Sequence, residues 1–245
     1  MELGRPHLHL RRTGSTNERA KELAMSGAPG GLVVTAEEQT AGRGRRGNAW
    51  FAPPGSCLLY SALVRPFAAD QAPLLPLAVP IAVCEAAEAV APVRCQVKWP
   101  NDVWVDERKV SGVLVEARPD EGWAVIGVGL NVAIAQDDFP GELRETATSL
   151  LPTEGEGGIP PGGAPGVPHA LSALNETLGR WIQAPDEEVL DAYRTRDTLC
   201  GRRISWEDGE GVAGEIDERG HLVVEKDGGE RVALGAGEVH LAIQP

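Results

Sequence analysis

Positive charge is what this chain has least of. Its 245 residues carry 23 Lys and Arg against 36 Asp and Glu, a formal net charge of -13. Neutralising phosphates along a duplex needs a broad basic face, so general affinity for DNA is not expected. Cysteine is sparse as well. Cys57, Cys84, Cys95 and Cys200 stand far apart with no C-x-x-C spacing. That pattern argues against a structural zinc site or a disulfide framework, and most of the thiols read as buried and reduced. The five histidines show no sequence pairing with a cysteine, which disfavours Cys–His nucleophilic catalysis. Long apolar runs are missing too. The best candidate, 74–91, is broken by Pro76, Pro80, Glu85 and Glu88, so no membrane span is expected. The opening Met1-Glu2-Leu3-Gly4-Arg5-Pro6 lacks the apolar stretch of a signal peptide, and a cytoplasmic protein is the expectation.

What is present suits a folded enzyme or binding protein. Hydrophobic residues make up 42% of the chain and charged residues 24%, enough for a real core. The length fits one large domain, or a medium domain with a small one. Strand patterns fall at 8–10, 32–36 and 57–64, and an alanine-rich buried helix at 74–90. Ser15 with Glu18 three residues on is a capping-box pattern for a helix ending near Gly27. A short strand at 97–99 precedes a hairpin with arms 102–105 and 109–116, turning at Asp106-Glu107. Two further strands are expected at 123–128 and 130–134, with Gly127 and Gly129 between them. The Gly/Pro-rich stretch 152–168 reads as a surface loop. Helical patterns follow at 170–182 and 187–196. Five short strand candidates fill the remainder, separated by turn residues such as Asp208-Gly209 and Asp227-Gly228-Gly229. They suggest a small β-barrel beginning near 197. The expected organisation is therefore 1–196 as an α/β domain and 197–245 as a small β domain.

Four segments concentrate polar chemistry. Gly42-Arg43-Gly44-Arg45-Arg46-Gly47 packs three arginines and three glycines into six positions of an acidic chain, with Trp50 close behind. Glycines let backbone N–H groups approach an anion, and arginines offer planar forks that match phosphate or carboxylate. A solvated basic turn is the alternative. Lys98-Trp99-Pro100-Asn101-Asp102 places an Asn-Asp pair at a strand end. It can be plain turn chemistry, or Asp102 can serve as a general base or magnesium ligand. Lys109 lies across the predicted hairpin, followed by Gly112; an exposed hairpin lysine is the bland reading. Asn131 follows Gly127-Val128-Gly129-Leu130, where a strand-end role is equally available. Ser15-Thr16-Asn17 and Gln39 likewise have cap and strand-end readings.

Taken in order, these segments resemble the biotin protein ligase family. The Gly/Arg run and the Lys-Trp-Pro-Asn-Asp run are each specific to it, and the resemblance covers residues 8–243. It implies a mixed sheet flanked by helices and a C-terminal SH3-like barrel. It also implies a two-step reaction. Biotin is activated by MgATP to biotinoyl-5′-AMP, then passed to a lysine of a biotin carboxyl carrier protein. Carried over by position, the biotin side comprises Ser15, Thr16, Asn17, Gln39, Arg43, Gly44, Arg45, Lys109 and Gly112. The nucleotide side comprises Gly42, Arg46, Trp50, Asn101, Asp102 and Asn131. Arg45, Lys109 and Asp102 are the catalytic set, with Asp102 the one candidate magnesium ligand. Many members carry a basic residue where this chain has Asn48, so one phosphate contact is unmatched. Some members add an N-terminal helix-turn-helix. Ser15 lies too near the start for one to fit here, and direct repressor function is disfavoured. Family members often form homodimers, but no face in the sequence identifies one. Lipoate ligation is the nearest competing activity.

Overall fold

Strand alternation decides where everything else sits. The structure is a computed structural model that describes residues 1–71, 73–151, 163–164, 166–235 and 239–241. The first part of the chain forms β1 (His7–Thr13), α1 (Thr16–Met25), β2 (Val33–Gln39), β3 (Cys57–Val64) and α2 (Leu75–Val90). It continues with β4 (Gln96–Lys98), β5 (Asp102–Val105), β6 (Arg108–Arg118), β7 (Trp123–Asn131), α3 (Gly166–Trp181) and α4 (Asp186–Arg196). The seven strands form one sheet in the order β1-β2-β3-β7-β6-β5-β4. Only β1 and β2 run parallel, joined through α1; the other pairs are antiparallel.

Every residue of β3 is buried. Successive side chains leave opposite faces of the sheet. Leu58, Tyr60, Ala62 and Val64 join α2 and α3 in the main core, as do Ala124, Ile126, Val128 and Leu130 of β7. The opposite face carries Leu63 and Val125 against Ala20 and Ala24 of α1, and Cys57 and Leu59 against Ile134 and Phe139. Between those two patches the same face of β7 presents Gly127 and Gly129. Their register partners are Ser61 and Leu59 on β3, and Leu114 and Gly112 on β6. Missing side chains on adjacent strands leave a hollow in the sheet face, and that hollow becomes the site.

The remaining strands are β8 (Arg203–Trp206), β9 (Gly209–Ile216), β10 (Leu222–Glu225), β11 (Arg231–Leu234) and β12 (His240–Leu241). They form a five-stranded antiparallel sheet in the order β11-β10-β9-β8-β12. Two contacts tie it to the site region. Thr198 N–H donates to the Val97 carbonyl at 3.0 Å, and Trp99 Nε1 donates to the Gly220 carbonyl at 3.1 Å.

Several expectations are corrected. The capping box does not form: Ser15 has extended N-cap geometry but makes no side-chain cap bond, because Glu18 is drawn to Lys21 and Arg43. Strands 123–128 and 130–134 are one strand, β7; Gly127 and Gly129 hollow it without breaking it. The 152–168 loop ends earlier than expected, since α3 begins at Gly166 and Pro168 fits in its first turn. Residues 152–162 and 165 of that stretch lie outside the described residues. The hairpin turn is as expected, with Asp106 and Glu107 both left-handed (φ 49 and 61), the pattern of a tight two-residue connection. Cys57, Cys84 and Cys95 are buried and Cys200 is exposed, all four free. Among the described residues no helix is long and apolar enough to cross a membrane.

Candidate active site

The hollow opens between the sheet face, the start of α1 and the 42–50 loop. Its lining includes Ser15, Thr16, Asn17, Gln39, Arg43, Gly44, Arg45, Arg46, Trp50, Asn101, Asp102, Lys109 and Gly112. These residues span 98 positions of sequence, from the first helix to the β5–β6 hairpin. Sheet order explains the convergence: β2 and β3 lie on one side of β7, β6 and β5 on the other.

One end is neutral and hydrogen-bonded. Thr16 N–H and Oγ1 both donate to Gln39 Oε1, at 2.6 and 3.0 Å. Ser61 Oγ lies 2.8 Å from Thr16 Oγ1 and 2.6 Å from Asn17 Oδ1. Asn17 lies directly over Gly127, where any Cβ would collide with its amide. Glycine is required there by space.

The other end is cationic. Arg43, Arg45, Arg46, Lys98 and Lys109 line it, with Asp102 as the only lining carboxylate. Lys109 Nζ is 2.7 Å from Asp102 Oδ1 and 5.7 Å from the centroid of the Trp50 ring. Arg45 Nη1 donates to Asn101 Oδ1 at 3.0 Å, while Asn101 Nδ2 donates to the Val113 carbonyl at 2.7 Å. Asn101 is thereby fixed, and Arg45 closes over the strand end. Arg43 reaches outward to Glu18 at 2.6 Å. In the loop itself Arg46 is left-handed (φ 54) beside Gly47 (φ 81). That conformation is uncommon for arginine and keeps the loop tightly turned.

Trp50 spans the two ends. Its indole rests on the glycine floor. A Cβ on Gly112 would stand 3.0 Å from Trp50 Cζ3, and one on Gly129 would be 2.7 Å from Cζ2 and Nε1. Trp50 Nε1 is buried with no hydrogen-bond partner among the described residues. A buried donor left unpaired costs about 1–3 kcal/mol, so the site has a donor waiting for a ligand acceptor.

Residues 9–132 match the biotin/lipoate A/B protein ligase family. The biotin–[acetyl-CoA-carboxylase] ligase of Mycobacterium tuberculosis is 36% identical over 242 residues, 93% of this chain and 85% of that one. The chain belongs to this ligase family. A bifunctional ligase/repressor BirA from Bacillus spizizenii is 40% identical over 146 residues, 58% of this chain and 45% of the relative. The match thus spans less than half of that relative's length. Among solved structures, the biotin protein ligase from Aquifex aeolicus in complex with biotin and ATP has a TM-score of 0.78. Its identity is 25%, and the match covers 96% of this chain and 99% of that one.

Two residues assigned from the resemblance stand apart from the cavity of this ligase-family chain. Asn131 is buried, donating from Nδ2 to the Thr148 carbonyl at 2.9 Å and accepting from Cys57 Sγ at 3.7 Å. It lies beyond the glycine hollow on the same face of β7. Gly42 sits at the base of the loop, where its carbonyl accepts Trp50 N–H at 3.1 Å. Sequence reasoning missed Ser61, Gly127, Gly129 and Asn48 as members or neighbours of the site. Ser61 carried a signal: it is the one hydroxyl serine inside the apolar run of β3. Among the described residues no group of three or more His, Cys, Asp or Glu is placed to hold a metal.

Proposed function

We propose that the chain is an ATP-dependent biotin protein ligase. It activates biotin as biotinoyl-5′-AMP and transfers the acyl group to a lysine of a biotin carboxyl carrier protein. The observation that carries the reading is the single cavity with two unlike ends. A neutral hydrogen-bonding end built by Thr16, Asn17 and Gln39 suits a ureido ring. The arginine loop and Lys109 suit a carboxylate meeting a triphosphate. Activation brings two anions together, and fixed positive charge is the largest single lever on that barrier. Biotin's carboxylate oxygen bonds to the α-phosphorus as the bond to pyrophosphate breaks. Lys109 and Arg45 offset the negative charge gathered there. In the second step the carrier amine attacks the acyl carbon, AMP leaves, and Asp102 accepts the amine proton. Asp102 is available for this once Lys109 turns from it to the substrate.

Arg46, Trp50 and Asn101 take the nucleotide side, with Trp50 Nε1 donating to the bound adenylate. Asn131 and Gly42 act indirectly, by holding the strand end and the loop base. Magnesium travels with ATP and offsets phosphate charge; the site fits this, because a lone carboxylate with substrate phosphates is a common magnesium arrangement. We further read 1–196 as the catalytic domain and 197–245 as an SH3-like barrel, in a cytoplasmic protein. Incubation with MgATP, labelled biotin and a biotin carrier domain tests the reading. Label on the carrier in a hydroxylamine-resistant amide is expected. Incorporation of lipoate instead, or binding without transfer, overturns it.

A further inference from the structure

Glu116 lies outside the cavity lining, yet an unbroken run of hydrogen bonds joins it to the neutral end. Asn17 Nδ2 donates to Glu116 Oε2 at 3.0 Å, and more weakly to the Leu114 carbonyl at 3.4 Å. That fixes which way the Asn17 amide points: its Oδ1 must face Ser61. The Ser61 hydroxyl has one proton and two acceptors within reach, Asn17 Oδ1 at 2.6 Å and Thr16 Oγ1 at 2.8 Å. Asn17 Oδ1 takes it through the shorter bond. Thr16 directs its own proton to Gln39 Oε1. Thr16 Oγ1 therefore keeps a lone pair that no protein proton fills, in the wall of the cavity.

Turning Asn17 over would reverse this. Its amino group would face Ser61, and the Ser61 proton would swing onto Thr16 Oγ1. The acceptor would be lost. Only the partner beyond Asn17 decides between the two states, and that partner is a carboxylate, which accepts and cannot donate. Lys21 Nζ secures the charge at 2.7 Å from Glu116 Oε1. Burial alone would raise the Glu116 carboxyl, but hydrogen bonds from Lys21 and Asn17 hold it below the usual carboxylate range.

We propose that Glu116 is a positioning residue that sets the acceptor pattern at Thr16, and so selects a head group bearing N–H donors. The ureido ring of biotin has them; the dithiolane ring of lipoate has none. This rests on the reading of the cavity as a biotin site. Glu116→Gln keeps the shape but leaves one oxygen. That oxygen turns to the Lys21 ammonium, the stronger donor. The amino end then faces Asn17, which turns over. Adding Lys21→Met removes the ammonium, frees the oxygen for Asn17 Nδ2, and restores the original order.

The test is calorimetric binding of biotin and of the two cyclic carbamate analogues, each with one ureido N–H replaced by oxygen. For at least one analogue the wild-type protein is expected to lose about 10–100-fold in affinity relative to biotin. In Glu116→Gln that ratio should shrink to about threefold or less, with biotin itself bound more weakly. In Lys21→Met/Glu116→Gln the ratio should return towards the wild-type value. In turnover, KM for biotin should rise in Glu116→Gln far more than KM for ATP. A ratio unchanged in Glu116→Gln, or no recovery in the double variant, overturns the proposal alone. Failure of the wild-type protein to bind biotin overturns the biotin reading and the proposal together.

Discussion

A single methyl group at position 129 should set the sheet against its lid. Gly129 lies on the site face of β7, level with Gly112 of β6 and Leu59 of β3. A Cβ there would stand 2.7 Å from Trp50 Cζ2 and Nε1, and nearer still to Cε2. Ordinary carbon contacts lie at about 3.5–4.0 Å, so close to 1 Å must be found. Either the strand shifts or the indole lifts, and overpacking of this kind costs about 1–3 kcal/mol. Without the indole, alanine in a strand is favoured over glycine by roughly 0.5–1 kcal/mol, through the lower entropy of the unfolded chain. Gly129→Ala should therefore destabilise the wild-type protein by about 1–3 kcal/mol and be neutral or mildly stabilising in a Trp50→Ala background. Urea unfolding of the two single variants, the double variant and the parent gives the coupling energy directly. Equal effects of Gly129→Ala in both backgrounds would refute the claim that the indole is what demands glycine.

Three further outcomes are expected. Arg45→Gly should release the acyl-adenylate, because the guanidinium that closes onto Asn101 is gone; bystander lysines in a protein mixture should then become labelled, and carrier-only labelling contradicts this. Lys109→Ala should slow biotin-dependent pyrophosphate release by about 10²–10³-fold, and normal release would show that another cation does the work. Burial pushes the Asp197 carboxyl up to about 6. Its folded value exceeds the unfolded one, so its contribution to stability is present below about pH 4 and is lost as pH rises through 6. Asp197→Asn keeps the oxygen that accepts Leu199 N–H at 2.8 Å and should raise unfolding free energy by about 2 kcal/mol at pH 8, with little gain at pH 4; equal effects at both pH values would contradict the shift.

Much of this was readable from residues alone, for identifiable reasons. The run at β3 is apolar throughout, and a strand buried on both faces reads that way. The β5–β6 hairpin announced itself by alternation around Asp106-Glu107. The glycines of β7 were misread because glycine usually punctuates; here it is selected by what lies above it, Asn17 and Trp50, and those neighbours arrive only with the tertiary fold. The capping box failed for a similar reason, since Glu18 has two cationic partners within 2.8 Å and one is on a distant loop. Most of the residues assigned from the resemblance line one cavity. Ser61 and Glu116 escaped notice because each does its work through another side chain. A spacing pattern records residues that share a face; it does not record a proton shared between three strands and a helix.

The central claim is that biotin is adenylated in this cavity, and isotope exchange between pyrophosphate and ATP tests it most directly. With magnesium present, labelled pyrophosphate should enter ATP only when biotin is added. Lipoate should not replace biotin, and Lys109→Ala should abolish the exchange. Exchange supported by lipoate and not by biotin, or exchange that ignores both acids, would contradict the assignment.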